Sequence, residues 1–144
     1  MNILVEQTKS IINEDLPLIS NLSNVSAVLN QLDNINWCGF YLVDGDKLIL
    51  GPFQGEVACT TIPFGKGVCG ASWKEEKTII VPDVNKFVGH IACSSKSKSE
   101  IVTPIKKNNI VVALIDIDSP IYNRFAEEDK LLLEEIASIL SPLF

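Results

Sequence analysis

Three of the four cysteines in this chain fall between Gly55 and Glu100, each in a setting that a plain core thiol would not need. Cys59 lies in Glu56-Val57-Ala58-Cys59-Thr60. Cys69 lies in the glycine-rich Phe64-Gly65-Lys66-Gly67-Val68-Cys69-Gly70, and Cys93 in Gly89-His90-Ile91-Ala92-Cys93-Ser94-Ser95. Downstream stand Glu100 and the alternating pair Asp116-Ile117-Asp118. Sulfur nucleophiles near carboxylic acids point to thiol redox chemistry. The thiolate is the reactive form and an ordinary cysteine titrates near ~8.5, so local positive charge or backbone N–H groups must favour the anion. At Cys93, His90 and Lys96 stand three residues to either side and offer such charge. Acids two apart in a strand project from one face, and close carboxylates cannot both ionise cheaply, so one keeps a proton to donate. A sulfenic acid formed on one cysteine condenses with a second thiol, and a dithiol reductant resets the disulfide by exchange.

Each signal also has a plainer reading. Cys93 could be an inert half-buried thiol, and Asp-Ile-Asp the solvated face of an antiparallel sheet. Trp37 and Tyr41, on one strand face, could be core rather than the aromatic wall of a ligand site. Gly39 between them either leaves room for a ligand or marks a bulge. Zinc held by Cys59, Cys69, Cys93 and His90 is a weaker alternative, because structural sites usually carry close Cys-x2-4-Cys pairs and these cysteines are widely spaced. His90 then reads as a loop residue orienting Cys93 or as a satisfied polar side chain.

The bulk numbers limit the function. At 144 residues the chain is long enough for one domain with one real core, and we expect a single domain over residues 1–144. Hydrophobic residues make up 47% and charged residues 21%, an ordinary globular balance. A net charge of −6 argues against nucleic acid as a partner, since phosphate binding needs clustered Lys and Arg. Lys96 and Lys98 form the one basic cluster, in a Ser/Lys loop read as solvated. No uncharged apolar run approaches the ~18 residues of a membrane span, and Met1–Glu6 lacks the basic n-region of a signal peptide. The expectation is a cytoplasmic protein whose thiols are mostly reduced.

The elements that must position these residues follow from periodicity. Residues 2–32 read as helical with a break at Pro17. Asn13 or Asp15 is expected to end the first helix, and Ser20 or Asn21 to cap the second. Trp37–Val43 and Lys47–Leu50 flank Asp44-Gly45-Asp46, a hairpin turn signal. Trp37, Gly39, Tyr41 and Val43 share one face, and Cys38, Phe40 and Leu42 the other. A short strand at 59–62 ends at Pro63, a helix runs from Val68 to Glu75, and Thr78–Val81 is a strand. Residues 83–98 form a polar loop of the length that often carries function. Glu100–Ile105 and Ile110–Asp118 form a second hairpin, in which Pro104 demands an edge or a bulge. A last helix from Glu127 to about Ser141 presents Leu132, Ile136, Ile139 and Leu140, with Ala126 a poor N-cap. The fold class is α+β: a mostly antiparallel sheet of about six strands with N- and C-terminal helices packed on it.

Read together, Asn36-Trp37-Cys38-Gly39-Phe40-Tyr41, Leu50-Gly51-Pro52-Phe53-Gln54-Gly55, Ile62–Gly70, Val81-Pro82-Asp83-Val84, Gly89–Cys93, Ser99-Glu100-Ile101-Val102 and Leu114–Pro120 resemble the free methionine-R-sulfoxide reductases, which are single GAF domains. The similarity runs almost end to end and includes the cysteine and carboxylate set that generic GAF sensors lack. It implies that Cys93 attacks the sulfoxide, that Cys59 resolves the product as a disulfide, and that Cys69 is auxiliary. It further implies that Trp37 and Tyr41 line the pocket for the methyl-sulfur end, with Ile91 and Ala92 also in contact with substrate. Glu100, Asp116 and Asp118 would bind and activate it. Cys38 matches no catalytic position. The implied substrate is free L-methionine-(R)-S-oxide, with thioredoxin as reductant, no cofactor, no metal, and a homodimeric assembly. The competing class is a non-catalytic GAF module that holds a small ligand or senses oxidants.

Overall fold

The computed structural model describes residues 2–91, 93 and 96–144; the expected contact at Ala92 lies outside them. The elements are α1 (Ile3–Ile11), α2 (Leu18–Leu29), β1 (Trp37–Asp44), β2 (Lys47–Gly55), β3 (Thr61–Pro63), α3 (Gly67–Glu75), β4 (Ile79–Val81), β5 (Ser99–Lys107), β6 (Ile110–Ser119) and α4 (Glu127–Leu140). Short 3-10 turns occupy Val84–Lys86 and Ser141–Leu143. The strands form one six-stranded sheet in the order β3-β2-β1-β6-β5-β4, antiparallel at every junction. This is the expected α+β architecture.

Side-chain alternation divides the sheet into two different faces. Cys38 and Phe40 of β1, Ile101 and Ile105 of β5, and Ile115 and Ile117 of β6 pack against Leu22, Val25 and Leu29 of α2 and Leu133, Ile136 and Leu140 of α4. That is the main core. On the opposite face Trp37, Tyr41, Val102 and Leu114 meet Val68 and Cys69 of α3 and Val84. The expected split of β1 therefore holds, and the candidate chemistry sits on the second face.

Turn chemistry fixes the two long hairpins. Gly45 takes φ +64° between β1 and β2, and Asn108 and Asn109 take φ 54° and 63° between β5 and β6. Two successive positive φ values suit the tight turn that matches strand twist. Pro104 lies on an interior strand, yet β4 pairs only with Glu100–Val102, so the outer edge of β5 is open at Pro104. A register shift follows at Ile105/Lys106. Edge and bulge thus both accommodate the missing N–H.

Several boundaries differ from expectation. The first helix ends at Ile11, not at Asn13 or Asp15, because the Asn13 backbone is taken up by the Asn21 amide. Asn21 Oδ1 accepts from Asn13 N–H at 3.0 Å, and Asn21 Nδ2 donates to Asn13 O at 2.8 Å. Asn21 therefore clamps the inter-helix turn, and Pro17, not Ser20 or Asn21, occupies the N-cap of α2. The second strand continues past Leu50 to Gly55 because a register shift between Gly39 and Tyr41 realigns β1 with it. In α4 the buried stripe includes Leu133 and Ala137, while Ile139 only packs at its margin. Ala126 offers no side-chain cap, but Asp129 accepts its N–H at 2.8 Å and is held by Arg124 at 3.3 Å.

Gly39 stands beside a bulge, whose extra residue lies on β2 where Gly51 and Pro52 oppose Phe40, and it leaves no room for a ligand. A Cβ there would overlap Phe53 Cβ and lie 2.8 Å from Phe53 Cα. The variant Gly39→Val is expected to lose about 1–3 kcal/mol of stability or more, read as a lowered urea midpoint; an unchanged midpoint would show that β2 can move aside.

Candidate functional site

The strand register assembles the site. Glu100 of β5 pairs directly with Asp118 of β6, and Asp118 pairs with Trp37 of β1. Asp116, two residues back on the same face, stands opposite Gly39. The three carboxyls therefore form a patch on the second sheet face, while Ile115 and Ile117 point into the main core. Above this patch lies a cavity of about 40 Å³, lined by Trp37, Tyr41, Cys69, His90, Ile91 and Cys93 along with the three acids. Val57, Ala58, Ile62, Gly67, Val68 and Ser97 complete its lining.

Cys59 and Cys93 are joined as a disulfide with their Cα atoms 5.5 Å apart, inside the reach of the bond. That pairing removes both sulfurs from the four-ligand zinc set considered above. The aromatic residues do more than line a wall. Trp37 Nε1 donates to Glu56 O at 3.1 Å, and Tyr41 Oη donates to Cys59 O at 2.9 Å. Trp37 also stacks on Phe53 with centroids 5.2 Å apart. The aromatic pair thus holds the segment that carries Cys59. Lys96 pairs with Glu56 at 2.5 Å, linking the Cys93 loop to the same segment. Lys98 lies 5.2 Å from the centroid of the Tyr122 ring.

Burial sets the electrostatics. Desolvation pushes Glu100 and Asp118 well above the usual carboxylate range, and the neighbouring Asp116 charge pushes them further. Asp116 is also raised by burial, but bonds from Glu100 and from the Cys69 thiol pull it back. Within this tightly linked set Asp116 is the most readily ionised member, and Glu100 shares its proton with both aspartates. Ser97 Oγ donates to Asp118 Oδ2 at 2.9 Å, and Asn36 Nδ2 donates to Ser97 Oγ at 3.3 Å. Asp116 Oδ1 and Asp118 Oδ1 are buried and meet no hydrogen-bond partner among the described residues. Donor atoms of Cys69, Glu100 and Asp116 lie within 4.8 Å of one another. These groups already bond to each other, so they read as a proton-sharing cluster.

Burial also raises the Cys69 thiol well above its ordinary value, with the Asp116 charge second, so Cys69 is a protonated donor. Cys38 lies on the far face, where desolvation pushes its thiol up to about 12 and its S–H points at Ser26 O, 3.4 Å away. Sequence reasoning brought Cys59, Cys69, Cys93, Glu100, Asp116, Asp118, Trp37, Tyr41 and Ile91 into one list, and the fold brings them to one place. It missed the roles of Ser97 and Asn36, for which no local pattern exists. It left His90 as a residue orienting Cys93 or as a satisfied polar side chain, and the structure places His90 Nε2 3.8 Å from Glu100 Oε1.

Residues 17–141 match the GAF domain family. The reduced form of fRMsr from Staphylococcus aureus superposes with a TM-score of 0.93 at 51% identity, covering 98% of this chain and 92% of that one. The free methionine-R-sulfoxide reductase of Escherichia coli (strain K12) is 45% identical over 85% of this chain and 74% of its own length. The chain belongs to the free methionine-R-sulfoxide reductase family of GAF domains. A further member, the Neisseria meningitidis reductase in complex with its substrate, matches at 43% identity and a TM-score of 0.93, covering 98% of this chain and 86% of that one. Among the described residues no helix is long and apolar enough to cross a membrane.

The acids also make a prediction about stability. A carboxyl whose pKa is higher folded than unfolded binds its proton more tightly in the native state, so stability falls as pH rises from the unfolded value, about 4, through the raised one. As pH rises above the unfolded value of about 4, Glu100→Gln and Asp118→Asn are each expected to flatten the decline of the urea midpoint. A wild-type slope in both variants would mean that these acids are not buried as charges.

Proposed function

We propose that this protein is a thiol-dependent oxidoreductase that reduces free L-methionine-(R)-S-oxide to L-methionine. The observation that carries this reading is the junction of a Cys59–Cys93 redox pair with a cavity floored by three proton-sharing carboxyls. Family membership supports the substrate, since the Escherichia coli relative is a free methionine-R-sulfoxide reductase.

In the reduced protein the Cys93 thiolate attacks the sulfoxide sulfur while a carboxyl, Glu100 or Asp118, protonates the oxygen. Without that proton the oxygen is a poor leaving group. The protonated oxygen then passes to Cys93: its bond to the substrate sulfur and the new sulfur–sulfur bond both break as the Cys93 S–O bond forms, giving a sulfenic acid and methionine. The Cys59 thiol then attacks Cys93, forming the disulfide and releasing water. Asp116, the most readily ionised acid, holds the substrate ammonium, which favours the free amino acid over a peptide. Trp37 and Tyr41 provide the wall for the methyl-sulfur end, and Ile91 and Ala92 the flanking contacts. Cys69 is auxiliary, a protonated thiol bonded to Asp116. Thioredoxin resets the disulfide by exchange, which suits a cytoplasmic setting. A single GAF domain over residues 1–144 and a homodimer complete the proposal; the exposed Ile3, Leu16 and Ile19 of the N-terminal region are available for such an interface. A passive ligand or redox sensor has no use for acids beneath the disulfide.

The test is NADPH consumption with thioredoxin and its reductase, comparing R and S sulfoxides, free and peptide-bound; turnover of the peptide form at an equal rate would refute the assignment. Cys93→Ser is expected to abolish reduction. Cys59→Ser should complete one turnover without thioredoxin but recycle slowly, and a wild-type steady-state rate would rule out its resolving role. Glu100→Gln or Asp118→Asn should slow the chemical step by about a hundredfold in rapid-quench single turnovers. Normal rates in both would place the acid elsewhere.

A further inference from the structure

We propose that His90 is a positioning residue that returns a proton to Glu100 after each reduction, linking the buried acids to solvent. The inference rests on the function proposed above and adds a residue to it. Glu100 is buried, and an acid that gives up its proton in every cycle needs a route by which it is refilled. Its other ionisable neighbours are poor sources. Asp116 and Cys69 are themselves buried, and Asp118 is engaged by Ser97. His90 is the single histidine of the chain. Its Nε2 lies 3.8 Å from Glu100 Oε1, and its side chain keeps 16% of its surface exposed. It sits on a turn where its own N–H donates to Phe87 O at 3.2 Å, so the ring is presented to the cavity from the loop.

The titratable groups lining the same cavity are Tyr41 from β1, Cys69 from α3, Cys93 from the loop, Glu100 from β5, and Asp116 and Asp118 from β6. Burial holds Tyr41 and Cys69 protonated. Desolvation lowers the His90 pKa, partly offset by the Asp116 charge, whereas it raises Glu100. Both shifts favour the proton on Glu100 over the imidazole, the direction in which the relay must run. The gap exceeds a direct hydrogen bond and is closed by a tilt of the ring or one bridging water. Imidazole takes a proton from solvent, and Nε2–H passes one to the carboxylate that Glu100 becomes once the leaving oxygen has taken its proton. Only N–H and O–H bonds change, and no electrons move.

The test is His90→Ala at saturating thioredoxin, with first-turnover and steady-state rates measured across pH. The first turnover draws on the proton already stored, so the loss should be larger in steady state, roughly tenfold. Added imidazole should restore it in proportion to the imidazolium present. His90→Gln, which keeps a polar side chain but cannot relay, should behave like His90→Ala. Steady-state rates equal to wild type, recovery in His90→Gln, or a loss that imidazole leaves untouched would each overturn the relay. A wild-type protein that reduces no sulfoxide would instead refute the underlying function.

Discussion

Three carboxyls share one buried patch of sheet, and they cannot all carry charge there. Taking an isolated carboxylate out of water is expensive, so buried acids neutralise, pair or share protons. Glu100, Asp116 and Asp118 share. The patch opposes folding at neutral pH, and the stability that tolerates it comes from the other side of the same strands. Phe40, Ile101, Ile115 and Ile117 are fully buried against α2 and α4. Since alternate residues of β5 and β6 serve the two faces, the acids are rigidly spaced by strands whose stability they do not supply.

The same economy governs the thiols. Four cysteines occupy three kinds of environment. Cys38 is core, and Cys69 is a buried donor to an acid. Cys59 and Cys93 sit in loops that the fold draws together. Trp37 and Tyr41 hold the Cys59 segment through backbone carbonyls, and the Lys96–Glu56 pair joins it to the Cys93 loop. Reactivity is decided by which sulfur is tethered at the cavity edge and which is packed away from water.

Much of this was legible in the chain because period-two alternation says which residues share a face. Trp37 with Tyr41, and Asp116 with Asp118, could be grouped from spacing alone, and Gly45 and the Asn108-Asn109 pair marked their turns. Placing Cys59 beside Cys93 came from family resemblance, since loop closure leaves no periodic trace. Contacts that depend on side-chain amides or on register stayed hidden. Asn21 looked like a cap and proved to be a clamp on Asn13. Gly39 allowed two readings, space for a ligand or the mark of a bulge; Phe53 fills the space and a register shift lies beside it. The extension of β2 depended on a register shift that no composition rule signals. No pattern in the chain signals that His90 Nε2 comes within 3.8 Å of Glu100 Oε1.

With the disulfide closed, the cavity measures about 40 Å³, more than the roughly 10–15 Å³ that one water needs to enter a cavity. Water can therefore stay beside the acids while the two sulfurs are joined, so the oxidised form is not a dry one.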